Sequence, residues 1–197
     1  MQCQRLNREL KDYFSRSYGL NRRSLLNDSR YFHVIGGLPQ DAMHDILEGV
    51  LQYCVKEVLK VYIMEKKFLT LQELNKRIVS FENGYHNASN KPAKILRQKL
   101  FSDDHNLKQH ANEMWCLSLY LPFLIGECVP DKDEHWDLFC LLQIIRIVFS
   151  PTISKEQIPY LQVLIQQHHE KFKELFPDCP IIPKMHYMVH MPRTILR

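Results

Sequence analysis

Pro39-Gln40-Asp41-Ala42-Met43-His44-Asp45-Ile46-Leu47-Glu48-Gly49-Val50 is the stretch on which the reading of the whole chain turns. Proline suits a first helical turn and an aspartate suits the positive end of a helix, so a helix starts at Pro39 to Asp41 and its apolar spacing carries it to about Met64. At about 100° per residue, Asp41, His44, Asp45 and Glu48 fall on one strip. Met43, Ile46, Leu47, Val50, Cys54, Val58 and Val61 fall on the other side. The pattern predicts an amphipathic helix that buries the apolar face and holds the polar strip in a fixed direction.

Three carboxylates beside an imidazole can bind a divalent cation or hold the histidine as a proton carrier. A solvated charged face has the same composition, and spacing alone does not separate these readings. A second candidate lies near the end of the chain, where His186 and His190 stand four residues apart on one helix face, as zinc-binding histidine pairs do. The Glu of a His-Glu-x-x-His site is missing, and a third ligand would have to come from Asp41, His44 or Cys179. Histidines packed beside Met and Tyr satisfy the same spacing. The adjacent His168 and His169 point in different directions and make a weaker pair.

Around these stretches the chain reads as helices. Gln2 to Tyr18 has Leu6, Leu10, Tyr13 and Phe14 at helical spacing, and Gly19 is a natural cap. Tyr31 to Ile35 is the best strand candidate, broken by Gly36-Gly37. Thr70-Leu71-Gln72-Glu73 matches a capping box and predicts a helix from Leu71 to about Phe81, ahead of the Asn83-Gly84 turn. Tyr85 to Asp104 reads as a mobile polar loop with a short helix. A helix from Asn106 is kinked or ended by Pro122, and Glu134 to Ser150 reads as one largely buried helix. Ser154-Lys155-Glu156-Gln157, a second capping box, opens a helix to about Leu175, its start shifted by Pro159. Pro177, Pro180 and Pro183 enforce an extended connection, and Lys184 to Met191 forms about two turns before Pro192. The expected fold is a mainly α helical bundle with at most one or two short strands. It is a single partial domain over 1–197, with 1–38 a basic helix, loop and short strand and 39–197 the helical region.

Composition sets the limits. The 197 residues are 45% hydrophobic and 24% charged, which fits a globular domain rather than a disordered tail. No apolar run reaches the roughly 20 residues of a bilayer span, so no membrane partner is expected, and no hydrophobic leader opens the sequence, which points to an intracellular protein. The six cysteines form no Cys-x-x-Cys pair and read as reduced, packed thiols. A net charge of +4 permits nucleic-acid contact. The candidates for it are Arg5, Arg8, Arg22, Arg23, Lys91, Lys94 and Arg97, the first four near Tyr13, Phe14, Tyr18 and Tyr31. A solvated basic face explains the same density. Gly36-Gly37 lacks a following Lys-Ser/Thr, and there is no Gly-x-Ser-x-Gly elbow, so neither a phosphate loop nor a small-molecule hydrolase site is indicated.

From Gly37 to Val50 the chain resembles the transposases of CACTA (En/Spm-type) DNA transposons in their animal form. Tyr18-Gly19-Leu20 through Leu26-Asn27, Leu107-Lys108-Gln109 through Met114-Trp115-Cys116, and Pro183-Lys184-Met185-His186-Tyr187 through His190-Met191-Pro192-Arg193 resemble the same family. The resemblance implies the helical insertion region of an RNase H-like domain, in which two aspartates and a glutamate hold Mg2+ or Mn2+ for DNA cleavage and joining. Asp41 and His44 match the family's Asp-x-x-His signature, and the resemblance puts the catalytic aspartates before residue 1 and the glutamate after Arg197. It implies a transposase-derived interior fragment, catalytically inactive and nuclear, that keeps weak DNA contact and uses metal only within a complete transposase. Two other readings stand beside it: a helical protein-interaction module that self-associates, and a metal-dependent nuclease using Asp41, His44, Asp45 and Glu48.

Overall fold

The computed structural model describes residues 10–13, 15–17, 25–32 and 40–195, and the chain divides into two units, Met1–Pro39 and Gln40–Arg197. In the first, residues 10–13 and 15–17 are helical and Leu25–Asp28 form a single 3-10 turn without a buried residue. Tyr31 is 93% exposed, with the Arg30 guanidinium 5.9 Å from its ring centre. Tyr31 and Phe32 are not in a strand, and the rest of the expected strand lies outside the described residues. Arg5, Arg8, Arg22 and Arg23 lie outside them as well.

The described part of the second unit is built from helices. The first, α1, runs without a break through Met43–Val50, Leu51–Lys60 and Val61–Glu65. It is followed by α2 (Leu71–Ser80), α3 (Arg97–Leu100), α4 (Ala111–Ile125), α5 (Leu141–Val148), α6 (Gln157–Leu175), α7 (Pro183–Met188) and α8 (Met191–Ile195). The fold is mainly α, with no strand among the described residues, as the apolar periodicity predicts. Among the described residues no helix is long and apolar enough to cross a membrane.

The amphipathic reading of α1 needs correction. From Leu51 to Leu59 every residue is buried, including Gln52, Lys56 and Glu57, whereas Met43, assigned to the apolar face, is 39% exposed. The cause is position: α4 and α7 pack on the first turns of α1, and α3 and the 3-10 segment Glu134–Cys140 pack on its middle. A helix enclosed on all sides must satisfy its own polar groups. Gln52 does so with both ends of its carboxamide, donating to Gln109 O at 2.9 Å and accepting from Leu107 N–H at 3.0 Å. Lys56, whose side chain is 0% exposed, donates to Ser102 O at 2.8 Å, Ser102 Oγ at 3.0 Å, Asp104 O and Asp104 Oδ1.

Helix ends follow local chemistry more loosely than the motifs suggest. Thr70 Oγ1 accepts from Glu73 N–H at 3.1 Å, but Glu73 turns its carboxylate to Arg77 at 3.0 Å, so only half of that capping box forms. At α6 the other half forms: Ser154 N–H donates to Gln157 Oε1 at 2.8 Å. Pro122 sits inside α4 and does not end it. Interior proline costs about 3 kcal/mol, which burial of Met114, Leu117, Leu121, Leu124 and Ile125 at about 1.5–3 kcal/mol each outweighs. Glu134 to Ser150 is a 3-10 segment followed by α5 rather than one α-helix. Its start is drawn onto the end of α1 by Asp133, which accepts from Tyr62 OH at 2.9 Å, from His135 N–H at 3.0 Å and from Lys66.

Tyr85 to Asp104, read as a mobile loop, is tied at its centre. Gln109 pairs its carboxamide with both Ala93 N–H (2.9 Å) and Ala93 O (3.0 Å), and Asn75 does the same for Ile95 (2.7 and 2.9 Å). Two side chains thus replace the partner that an extended strand would need.

Candidate functional site

Asp41 caps α1. Its Oδ1 accepts from His44 N–H at 3.1 Å while its own carbonyl accepts from Asp45 N–H at 2.8 Å. Its Oδ2 meets His44 Nδ1 at 2.7 Å. The His44 N–H, and next its ring, hold the Asp41 carboxyl below the usual carboxylate range. An ionised carboxylate only accepts, so Nδ1 carries the proton and Nε2 faces outward, 3.6 Å from Glu48 Oε2. Asp41, His44 and Glu48 therefore do share an exposed strip.

Asp45 leaves that strip. It is buried, and burial pushes its carboxyl above the ordinary range, opposed by the charge of Lys184. The first turns of α1 are wider than an α-helix, with Leu51 N–H bonding five residues back to Ile46 O. A turn of more than 3.6 residues makes positions assigned by a 100° step drift.

Lys184, on α7, stands at the widened turn. Its Nζ donates to His44 O at 2.7 Å and Glu48 O at 3.4 Å, and a side chain inserted at main-chain carbonyls is a recognised cause of helix distortion. The Lys184 stem crosses Gly49 so closely that a Cβ there would lie 2.2 Å from Cδ. Any side chain at Gly49 would push the Lys184 stem out of its present path. Among the described residues no carboxylate makes an ion pair with Lys184 or with Lys108.

Two adjoining cavities open here. One, of about 410 Å³, is lined by Gly49, His105, Ile182, Pro183 and Tyr187. The other, of about 310 Å³, is lined by Gln52, Lys108, Gln109 and His110. Glu48, Asn106 and Lys184 line both. Three of the four stretches that carry the family resemblance, Gly37 to Val50, Leu107 to Cys116 and Pro183 to Arg193, thus contribute to one groove. Its floor is firmly set: Gln52 holds 107 and 109, and Lys108 between them adopts a left-handed backbone (φ 60°) whose N–H bonds Asn106 Oδ1. Strained backbone of this kind concentrates at functional sites.

Lys91, Lys94 and Arg97 are exposed and line neither cavity: Lys91 donates to Val79 O at 2.5 Å, Lys94 follows Ala93, whose main chain Gln109 holds, and Arg97 lies 5.3 Å over the Phe101 ring. His186 and His190 bring their Nε2 atoms to 3.2 Å, one donating to the other. Among the described residues no three His, Cys, Asp or Glu side chains gather as a metal site, so this pair remains two ligands. Gly49, Gln52, Lys108, Gln109 and Lys184 were not singled out as site residues by motif reasoning; the only signal for them was that four of the five lie inside the resembling stretches.

Comparison with known proteins adds no relative: no protein-family model matches the chain, no curated protein does, and no solved structure does.

Proposed function

We propose that the chain is a helical, transposase-derived module whose retained activity is salt-sensitive contact with DNA rather than strand cleavage. The observation that carries this reading is the shared groove: three resembling stretches, far apart in sequence, line one depression with two lysines that, among the described residues, form no direct ion pair. Lys91, Lys94 and Arg97 are further exposed cations on the same unit. Phosphate contact by such cations gives binding that falls linearly in a log–log plot against salt.

The test is fluorescence anisotropy with labelled DNA over a salt series. The expected result is measurable binding at low salt, weakened when Lys91, Lys94 and Arg97 are replaced by Ala. Binding that is absent at low salt removes the reading.

A second reading, a helical protein-interaction module, is favoured by one surface. Phe123 is 73% exposed and stacks on Phe81, with ring centres 6.5 Å apart. Light scattering after size exclusion separates the two: a strict monomer at all concentrations removes self-association.

A further inference from the structure

We propose that the groove takes one unpaired nucleotide of a nucleic-acid strand, its base against His105, Ile182, Pro183 and Tyr187 and its phosphate against Lys108 and Lys184. This rests on the DNA-contact reading and goes beyond it, because duplex contact by Lys91, Lys94 and Arg97 needs no cavity.

The two halves of the groove divide as a nucleotide does. The half lined by Gly49, Ile182, Pro183 and Tyr187 is apolar and aromatic, and each cavity falls in the volume range of small-ligand pockets. Tyr187 is 43% exposed, so its ring has room for a partner. His105 stands tilted on Tyr53, ring centres 4.3 Å apart, which fixes one wall. Gly49 lacks the side chain that would fill the floor, and Lys184 crosses it. In the adjoining half, Lys108, Gln109, His110 and Gln52 are polar or cationic.

Charge favours a phosphate over other anions with an apolar part only where the two halves meet, and there Lys184 is the shared cation. Its two carbonyl partners, His44 O and Glu48 O, orient the ammonium, and the buried Asp45 carboxyl feels its charge without forming an ion pair with it. Glu48 lies at the same boundary and repels a phosphate placed beside it. Its carboxylate suits the exocyclic amino group of a base instead, the pairing by which acidic side chains read cytosine. Bases stacked within a duplex offer no free face to Tyr187, whereas an unpaired nucleotide does.

The full chain is titrated by anisotropy with labelled oligothymidine, with oligocytidine, with a duplex and with an abasic strand, and unlabelled thymidine monophosphate is added as competitor. Expected results are single-strand binding about tenfold tighter than duplex, weakened about tenfold by Tyr187→Leu and by removal of the bases. Lys108→Ala should lower the salt slope on single strands by about 0.7. Both side chains are exposed, and circular dichroism checks that the variants stay folded.

Duplex binding equal to single-strand binding overturns the inference. So does single-strand binding untouched by Tyr187→Leu and Lys108→Ala but lost with Lys91, Lys94 and Arg97 changed to Ala, an outcome that leaves the DNA-contact reading standing. Thymidine monophosphate competing as strongly as the strand overturns the strand as ligand. No binding to any DNA at low salt overturns both readings.

Discussion

Lys56 and Lys184 both bring an ammonium against main-chain carbonyls at α1, and they differ in everything else that surrounds the charge. Lys56 is sealed from solvent and has Asp104 as well as three neutral oxygens, and Ser102, then Lys56 and Lys99, hold the Asp104 carboxyl well below its ordinary range against the effect of burial. Lys184 bonds two carbonyls, and the carboxyl of Asp45 is near enough to feel its charge but is not bonded to it. The first lysine is neutralised in place and fixes the loop that ends at His105; the second keeps its charge at the mouth of a cavity. A lysine bonded to a carboxylate is architecture, and one bonded only to carbonyls can still take a ligand oxygen.

The sharpest way to break this comparison is at Lys56. Lys56→Met leaves the main-chain oxygens of Ser102 and Asp104 without their donor and should cost about 3 kcal/mol, the low end for a broken buried pair because the Asp104 carboxylate is 41% exposed and keeps Ser102 and Lys99 as partners. Urea denaturation reads it; a loss under about 1 kcal/mol would mean the loop holds without the lysine.

The next effect is a pH dependence. His168 is buried, its Nε2 3.3 Å from Cys54 Sγ and its Nδ1 without a partner. Burial, then the neighbouring His169, pushes it down to about 3. The folded pKa lies below the unfolded 6.5, so between those values the unfolded chain binds more protons and stability falls as pH drops. From pH 6.5 to about pH 5 the loss is about 2 kcal/mol for this group. His169, pushed down to about 4 by burial, acts in the same direction. His168→Leu should therefore reduce the loss of unfolding free energy over this range, read by urea denaturation, by about 2 kcal/mol, and an unchanged pH profile would show that His168 titrates normally.

At Gly49 two effects oppose. A methyl group against the Lys184 stem is overpacking, at about 1–3 kcal/mol. Alanine regains about 1 kcal/mol of helix propensity over glycine. Gly49→Ala should destabilise by about 1 kcal/mol in a thermal melt, and a neutral or stabilising result would mean that the lysine moves aside at no cost. The smallest effect is expected at the exposed cap: Asp41→Ala should lower the melt measurably, at the low end for a lost cap and by less than Gly49→Ala, and should release the His44 imidazole from its single tautomer, which nitrogen chemical shifts report. A tautomer unchanged by the substitution would sever the Asp41–His44 link.

The helices were legible because apolar spacing is a local signal: α2 and α6 end within a residue or two of where the pattern puts them. Lys56 and Gln52 were not, since their partners lie some fifty residues along the chain and a helical wheel cannot distinguish a solvated lysine from a sealed one. The Asp41–His44 pair was legible as spacing. Asp45 was misplaced because the reading assumed an ordinary helical turn, and the wider turn coincides with Lys184, some 140 residues away. The groove itself left no periodic trace, being assembled from α1, α7 and the loop at 105–110, which lie far apart in the chain.

The carboxamides of Gln109 and Asn75 have one more consequence. They occupy the main-chain groups of Ala93 and Ile95 as a neighbouring strand would, although no strand is there. Amide protons at 93 and 95 should exchange with deuterated water far more slowly than those of an irregular loop, at a rate set by opening of the tertiary contacts. The same occupation leaves this extended stretch with fewer free groups for another chain to pair with, so two amide side chains also guard it against edge-to-edge association.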